Sequence, residues 1–261
     1  MADFILVAGG WLGGWAWRDV AGELARRGHR ARPVTLTGLG ERRHLARRDT
    51  GLSTHVDDIV HVLDHEEATG AIVVGHSYGI FPVVGAADRR PERIGRIVYL
   101  DTGVPQDGDT VKDGFMDEAR RAAVEEMVAA DGDGWRFPLP PEDQLGEWGS
   151  LSGMDEEALA RMRRLAAPHP YACFTEPISL GGAVWSLPSS AVFCTHNGVS
   201  IAMVEALYEA GDPRVSGAVG TDATFFELAT GHYPMLSVPL ALADVLIDAA
   251  SGGGRRLGTQ T

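Results

Sequence analysis

The chain has 261 residues, 44% of them hydrophobic, with a formal net charge of −13. That length can bury one sizeable core, and because no linker interrupts it we read a single domain. The acidic balance excludes a nucleic-acid or anionic-membrane partner, both of which need a basic face, and a single lysine, Lys112, leaves little scope for lysine chemistry.

Phe4 to Ala8 is a compact apolar run closed by Gly9 and Gly10, as expected of a strand buried on both faces. It is shorter than a secretory h-region and lacks a basic flank, and no window approaches the roughly 20 apolar residues of a membrane helix, so a soluble, cytoplasmic protein is expected. Trp17, Val20, Ala21, Leu24 and Ala25 recur at helical spacing, and Gly28 ends that helix. "RARPVTLTGLGERR" then reads as a short strand breaking into a loop. A second helix begins at Thr54, where "THVD" reads as a capping box, and carries Val56, Ile59, Val60 and Leu63 on one face. Strand 71–74, a helix from Ser77 to about Arg89 and strand 97–100 continue the alternation. Alternation of this kind predicts an α/β fold: a mostly parallel sheet flanked by helices.

From Thr102 to Pro188 the pattern changes to two helical patches, around 118–130 and 155–165, without a clear buried strand. We read residues 102–188 as an inserted helical cap and 1–101 with 189–251 as the core. The alternation resumes with strand 191–195, a helix from about Ser200 to Ala210, strand 223–227 and a helix from about Pro239 to Ala250. Residues 252–261 read as a frayed tail. The two cysteines, Cys173 and Cys194, are too few for a disulfide scaffold and are expected to be reduced thiols.

The stretch "AIVVGHSYGI" carries a G-x-S-x-G pattern where a buried strand meets a helix. Such a turn lifts the Ser77 hydroxyl above the sheet edge, and its two glycines allow close backbone packing that a simple serine N-cap does not need. A serine hydroxyl needs a base. Of nine histidines, His29, His44, His55, His61 and His65 read as loop or helix-surface residues, and His76 as a buried strand-end residue. His232, in "ATGHYPM" after the last strand, sits at the edge where parallel strands gather their C-termini and is the base candidate. An oxyanion hole needs two backbone amides. Tyr78 supplies one and Gly10, in "AGGWLGGWAW", the other, with Trp11 beside it. "GGWLGG" lacks the G-x-G-x-x-G spacing, and neither a cofactor nor a metal is expected.

Taken in order, "FILVAGGWLGGWAW", "TLTGLGER", "VVGHSYGI", "IVYLDTGVPQDGD", "FCTHNG" and "TGHYPM" make the chain resemble the α/β-hydrolase superfamily over nearly its whole length. Within it, the chain is similar to the small group of methyl-salicylate-type esterases, hydroxynitrile lyases and bacterial esterase-like proteins. The resemblance implies Ser77 as nucleophile, His232 as base and the amides of Gly10 and Tyr78 as oxyanion hole. Three positions depart from it. Ala8-Gly9 replaces the usual His-Gly, Ile80 replaces a second glycine, and Asn197 stands where an aspartate is usual. Either the acid has moved or the chain is a weakened or non-hydrolytic member. Asp101, at the end of "VYLD", is the natural replacement, although it could instead only cap the "DTGVP" turn. Glu227 is a poorer candidate because it falls within a strand.

The cap aromatics Phe115, Trp135, Phe137, Trp148, Phe174 and Trp185, with Trp11 and Tyr78 below, suggest a pocket for an apolar carbonyl substrate, several of them serving only as core. The leading expectation is a serine hydrolase of the esterase or lactonase type, forming an acyl-enzyme on a small apolar ester or lactone. The alternatives are another reaction at the same site, such as carbon–carbon cleavage, retro-aldol chemistry or cyclisation in secondary metabolism, and a ligand-binding member without turnover. A hydroxynitrile lyase is disfavoured, since Tyr233 follows the histidine where the plant lyases carry lysine. A homodimer stays open as the assembly.

Overall fold

A computed structural model of the chain describes residues 1–212, 215 and 222–257. Six strands form one sheet: β1 (Asp3–Val7), β2 (Arg30–Val34), β3 (Ala71–His76), β4 (Ile94–Leu100), and two further strands that follow the insertion. Between β4 and those strands lie α4 (Val111–Phe115), α5 (Glu118–Asp131), the two-residue strands β5 (Arg136–Phe137) and β6 (His169–Pro170), α6 (Glu142–Leu145), α7 (Glu156–Leu165) and α8 (Ala172–Thr175). The main sheet is completed by β7 (Ser189–Cys194) and β8 (Thr224–Leu228), and its order is β2-β1-β3-β4-β7-β8 with every neighbouring pair parallel. The α/β expectation is met.

Strand periodicity divides the core. Ile5, Val7, Val73, Ile97 and Tyr99 face a cluster containing α2 (Leu52–His65) and α3 (Ile80–Arg89), while Phe4, Leu6, Val74, Val98 and Leu100 face one containing α1 (Arg18–Arg26) and the last helix. The chain ends its regular structure with α9 (Ile201–Glu209), α10 (Pro234–Ser237) and α11 (Pro239–Ala250). Among the described residues the insertion has no core cluster of its own. Val124, Phe137 and Phe174 join the first cluster, and Leu145, Ala158 and Met162 the second. Among the described residues no helix is long and apolar enough to cross a membrane.

Four local expectations are corrected. α2 starts at Leu52 with Gly51 as N-cap, so Thr54 lies inside the helix and caps nothing; the Glu176 carboxylate instead accepts from Ser53 N–H. The insertion contains an antiparallel β5–β6 pair, too short for a hydropathy pattern to reveal. Three residues of 3-10 turn, Ser77–Gly79, precede α3. Of the expected tail, residues 252–257 are packed down. Arg255 exchanges two backbone hydrogen bonds with Phe225 of β8, at 2.8 and 3.0 Å, and residues 258–261 lie outside the described part.

Glycine substitutions separate tight packing from helix propensity. A Cβ on Gly75 would stand 2.6 Å from Ile80 Cα, whereas one on Gly22, inside α1, would meet nothing within 4 Å. Gly75→Ala should therefore cost about 1–3 kcal/mol, and Gly22→Ala should stabilise by about 0.8–1 kcal/mol. Urea unfolding followed by circular dichroism checks both signs.

Candidate active site

Three strands hand the chain to the site through strained residues. Trp11 after β1, Ser77 after β3 and Asp101 after β4 adopt φ of 63°, 51° and 49°, a left-handed conformation costing on the order of 1–3 kcal/mol at a non-glycine residue. At the Ser77 turn the backbone is too crowded for side chains. A Cβ on Gly79 would lie 2.6 Å from the Ala8 carbonyl oxygen, and one on Gly9 3.0 Å from Ser77 Cβ. The flanking glycines are thus required by contact between β1, β3 and the start of α3.

Asp101 is 8% exposed, and its carboxylate takes three hydrogen bonds. Oδ1 accepts from Cys194 N–H at 2.9 Å, and Oδ2 accepts from Asn197 Nδ2 at 2.8 Å and His232 Nδ1 at 2.6 Å. A carboxylate only accepts, so the His232 proton sits on Nδ1 and leaves Nε2 as the basic nitrogen. His76 fixes the other side of the same residue. Its Nε2–H donates to the His232 carbonyl at 2.7 Å, and burial, followed by the neighbouring His232 charge, holds His76 well below the usual histidine range. The insertion supplies a third constraint: His232 N–H donates to Ser150 O at 2.7 Å, and Gly149 packs its bare Cα against the imidazole. Glu227 is turned elsewhere, accepting from Ile201 N–H at 2.7 Å at the start of α9.

The loop after β1 is gripped by the insertion. Trp11 N–H donates to His169 Nδ1 at 3.3 Å, Trp11 Nε1–H donates to Phe137 O at 3.1 Å, and Ala167 N–H donates to Trp11 O at 2.9 Å. The Trp11 amide is therefore already engaged. Below it lies a buried polar cluster. His55 Nε2–H donates to Thr37 O at 2.8 Å, so its bare Nδ1 accepts the Tyr78 hydroxyl at 2.7 Å. Burial pushes His55 down to about 4 and the Cys173 thiol, which donates to Thr50 O, up to about 12. His55, His169 and Cys173 bring ligand-type atoms within 4.8 Å of one another, but the set does not fit a metal. The His55 Nδ1 lone pair is taken by the Tyr78 hydroxyl and the His169 Nδ1 lone pair by the Trp11 amide, so neither imidazole has a free donor atom for an ion.

His55 is fully buried, against the expectation of a helix-surface residue, and so is His169, which no sequence motif marks. The signal for the first was present: helical spacing puts His55 over Ile59 and Leu63, both buried. His169 and the Gly149–Ser152 segment act through backbone contacts that no spacing announces.

A cavity of about 540 Å³ opens at the C-terminal sheet edge. It is lined by Gly10, Trp11, Ser77, Tyr78, Asp101, Asn197 and His232 together with apolar side chains such as Phe81, Met116 and Phe193. Of the expected pocket aromatics, Trp11, Tyr78, Trp148 and Phe174 line it. Phe137 does not: it is fully buried behind Trp11 and Trp148, 5.0 Å from each ring, and is core. Trp135 lies outside the lining, with the Arg136 guanidinium stacked over its ring at 4.2 Å. Trp185 is 39% exposed and also outside the lining, and the side chain of Phe115 lies outside the described residues.

The description "alpha/beta hydrolase family" matches the chain over residues 4–245, and the chain belongs to that family. Among curated proteins, a carbendazim hydrolyzing esterase of Nocardioides sp. (strain SG-4G) is 45% identical over 111 residues, 42% of this chain and 46% of that protein. Esterase PIR7B of Oryza sativa subsp. japonica is 31% identical over 173 residues, 61% of this chain and 63% of that one. The matches thus span about half to just under two thirds of these relatives. In fold, an extracellular alpha/beta-hydrolase from a Paenibacillus species, described as sharing homology with tobacco salicylic acid binding protein 2, matches with a TM-score of 0.75 and 21% identity, covering 96% of this chain and 99% of that one.

The buried histidines make stability pH-dependent in a defined direction. His55, His76 and His169 are all held below the ordinary value near 6.5, so the unfolded chain binds their protons first. Their contribution is intact above about pH 6.5 and is lost as pH falls towards 4. Urea midpoints measured across that window should fall more steeply for the wild type than for His55→Gln.

Proposed function

We propose that the protein is a serine ester hydrolase in which Ser77 is the nucleophile, His232 the general base and Asp101 the acid that orients it. The observation that carries this reading is the 2.6 Å contact from His232 Nδ1 to Asp101 Oδ2, beside a cavity that Ser77 also lines. His232 Nε2 takes the Ser77 hydroxyl proton as Oγ attacks the substrate carbonyl. The amides of Gly10 and Tyr78 hold the developing oxyanion. The tetrahedral adduct collapses when His232 returns the proton to the leaving alcohol, and the same base then activates water to release the acid from the acyl-enzyme. The mainly apolar lining suits a small apolar or ring-bearing ester or lactone, and the curated relatives named as esterases agree with that class. Asp101 argues against loss of turnover through Asn197, since the imidazole keeps a carboxylate.

A fluorophosphonate probe should label the protein at Ser77 alone, and Ser77→Ala should abolish labelling. Persistent labelling, or no labelling of folded wild type, would overturn this reading. Asp101→Asn should lower kcat for p-nitrophenyl butyrate by about two to four decades with an unchanged circular dichroism spectrum. Butyrate should be turned over faster than acetate, and carbendazim, named for the Nocardioides relative, is the next substrate to assay.

A further inference from the structure

We infer that Asn197 is a positioning residue that fixes the charge and direction of the Asp101–His232 pair, and that positions 101 and 197 can exchange the carboxylate; this rests on the catalytic reading above. His232 Nδ1 lies 2.6 Å from Asp101 Oδ2 and 3.2 Å from Asn197 Nδ2. The imidazole N–H therefore has two side-chain atoms in reach and can bond only to the one that accepts. Both ends of the Asn197 carboxamide are assigned by their partners. Oδ1 accepts from Ser150 N–H at 2.8 Å, so Nδ2 is the end that donates to Asp101 Oδ2, also at 2.8 Å. An amide is the group suited to this place, since one atom must accept from the insertion while the other donates to a carboxylate.

The same geometry says what a carboxylate at 197 would do. Two carboxylates in hydrogen-bond contact cannot both ionise cheaply, and the added negative charge would favour the imidazolium. The other titratable groups near the ring do not offset this. Cys194 at the end of β7 and Tyr233 are held protonated by burial, and His76 at the end of β3 is held neutral. His196 meets Ser152 Oγ at 3.0 Å, and Arg120 of the insertion stacks over Trp148, the neighbour of Gly149. Among the described residues Asp101 is the one carboxylate bonded to the His232 ring.

If the carboxylate and amide are transposed, the contacts survive. Residue 101 still accepts from Cys194 N–H through Oδ1, residue 197 still accepts from Ser150 N–H, and the bond between the two side chains is kept with its donor reversed. The Nδ1–H bond moves by a small rotation from residue 101 to residue 197.

The test titrates His232 by NMR and measures ester turnover in the wild type, Asn197→Asp, Asp101→Asn and the Asp101→Asn/Asn197→Asp double variant, with Ser77→Ala as control. Asn197→Asp should raise the His232 pKa by about one unit and move the acid limb of kcat/KM to higher pH by the same amount. The double variant should regain at least about tenfold in kcat over Asp101→Asn. An unmoved His232 titration in Asn197→Asp, or a folded double variant no faster than Asp101→Asn, overturns the inference. Full turnover in Ser77→Ala would overturn the catalytic reading alone, because the NMR titration reads the pair without any substrate. A double variant that does not fold leaves the decision to the Asn197→Asp titration.

Discussion

Parallel strands all deliver their C-termini to one edge, and at this edge a hydrogen bond joins residues 131 positions apart, from His232 Nδ1 to Asp101 Oδ2. Much else in the site can be understood as holding that contact in place. β4 sits between β3 and β7, so Asp101 emerges beside Ser77 on one side and Cys194 on the other. The left-handed backbone at Trp11, Ser77 and Asp101 is tolerated because each follows a strand whose register is fixed by neighbours. Local strain is thus balanced by the sheet and spent where side chains must turn out of its plane.

The insertion is joined to this edge by backbone as much as by side chains. Ser150 accepts from His232 N–H and donates to Asn197, while Ala167, His169 and Phe137 bind the three polar groups of Trp11. With its apolar residues shared between both core clusters, the insertion has little freedom to move as a separate body.

Much of the fold was legible because its signals are local. The buried runs of β1, β3 and β4 and the turn at Ser77 follow from β-branched content, glycine placement and helical spacing. The departure at Asn197 was legible too, and it pointed to Asp101. What could not be read were contacts made across the chain. Phe137 and Phe174 look alike in sequence and join the same core cluster, yet of the two Phe174 alone also lines the cavity. His169 carries no motif, because its partner is a main-chain amide. Thr54 had a good capping pattern and lost to Gly51, since α2 starts where Glu176 of the insertion caps it.

The packed residues 252–257 bear on how the molecule behaves among copies of itself. A parallel sheet leaves two outer strands whose free N–H and C=O groups invite pairing with another chain. On one side Arg255 fills the hydrogen-bonding positions of Phe225 in β8. On the other, β2 is short and charged: Arg30 and Arg32 are tied to Asp3, and Pro33 has no N–H to offer. Both margins of the sheet are therefore poor templates for strand addition, so the concentrated protein is guarded against edge-to-edge aggregation by the segment around Arg255 and by one proline.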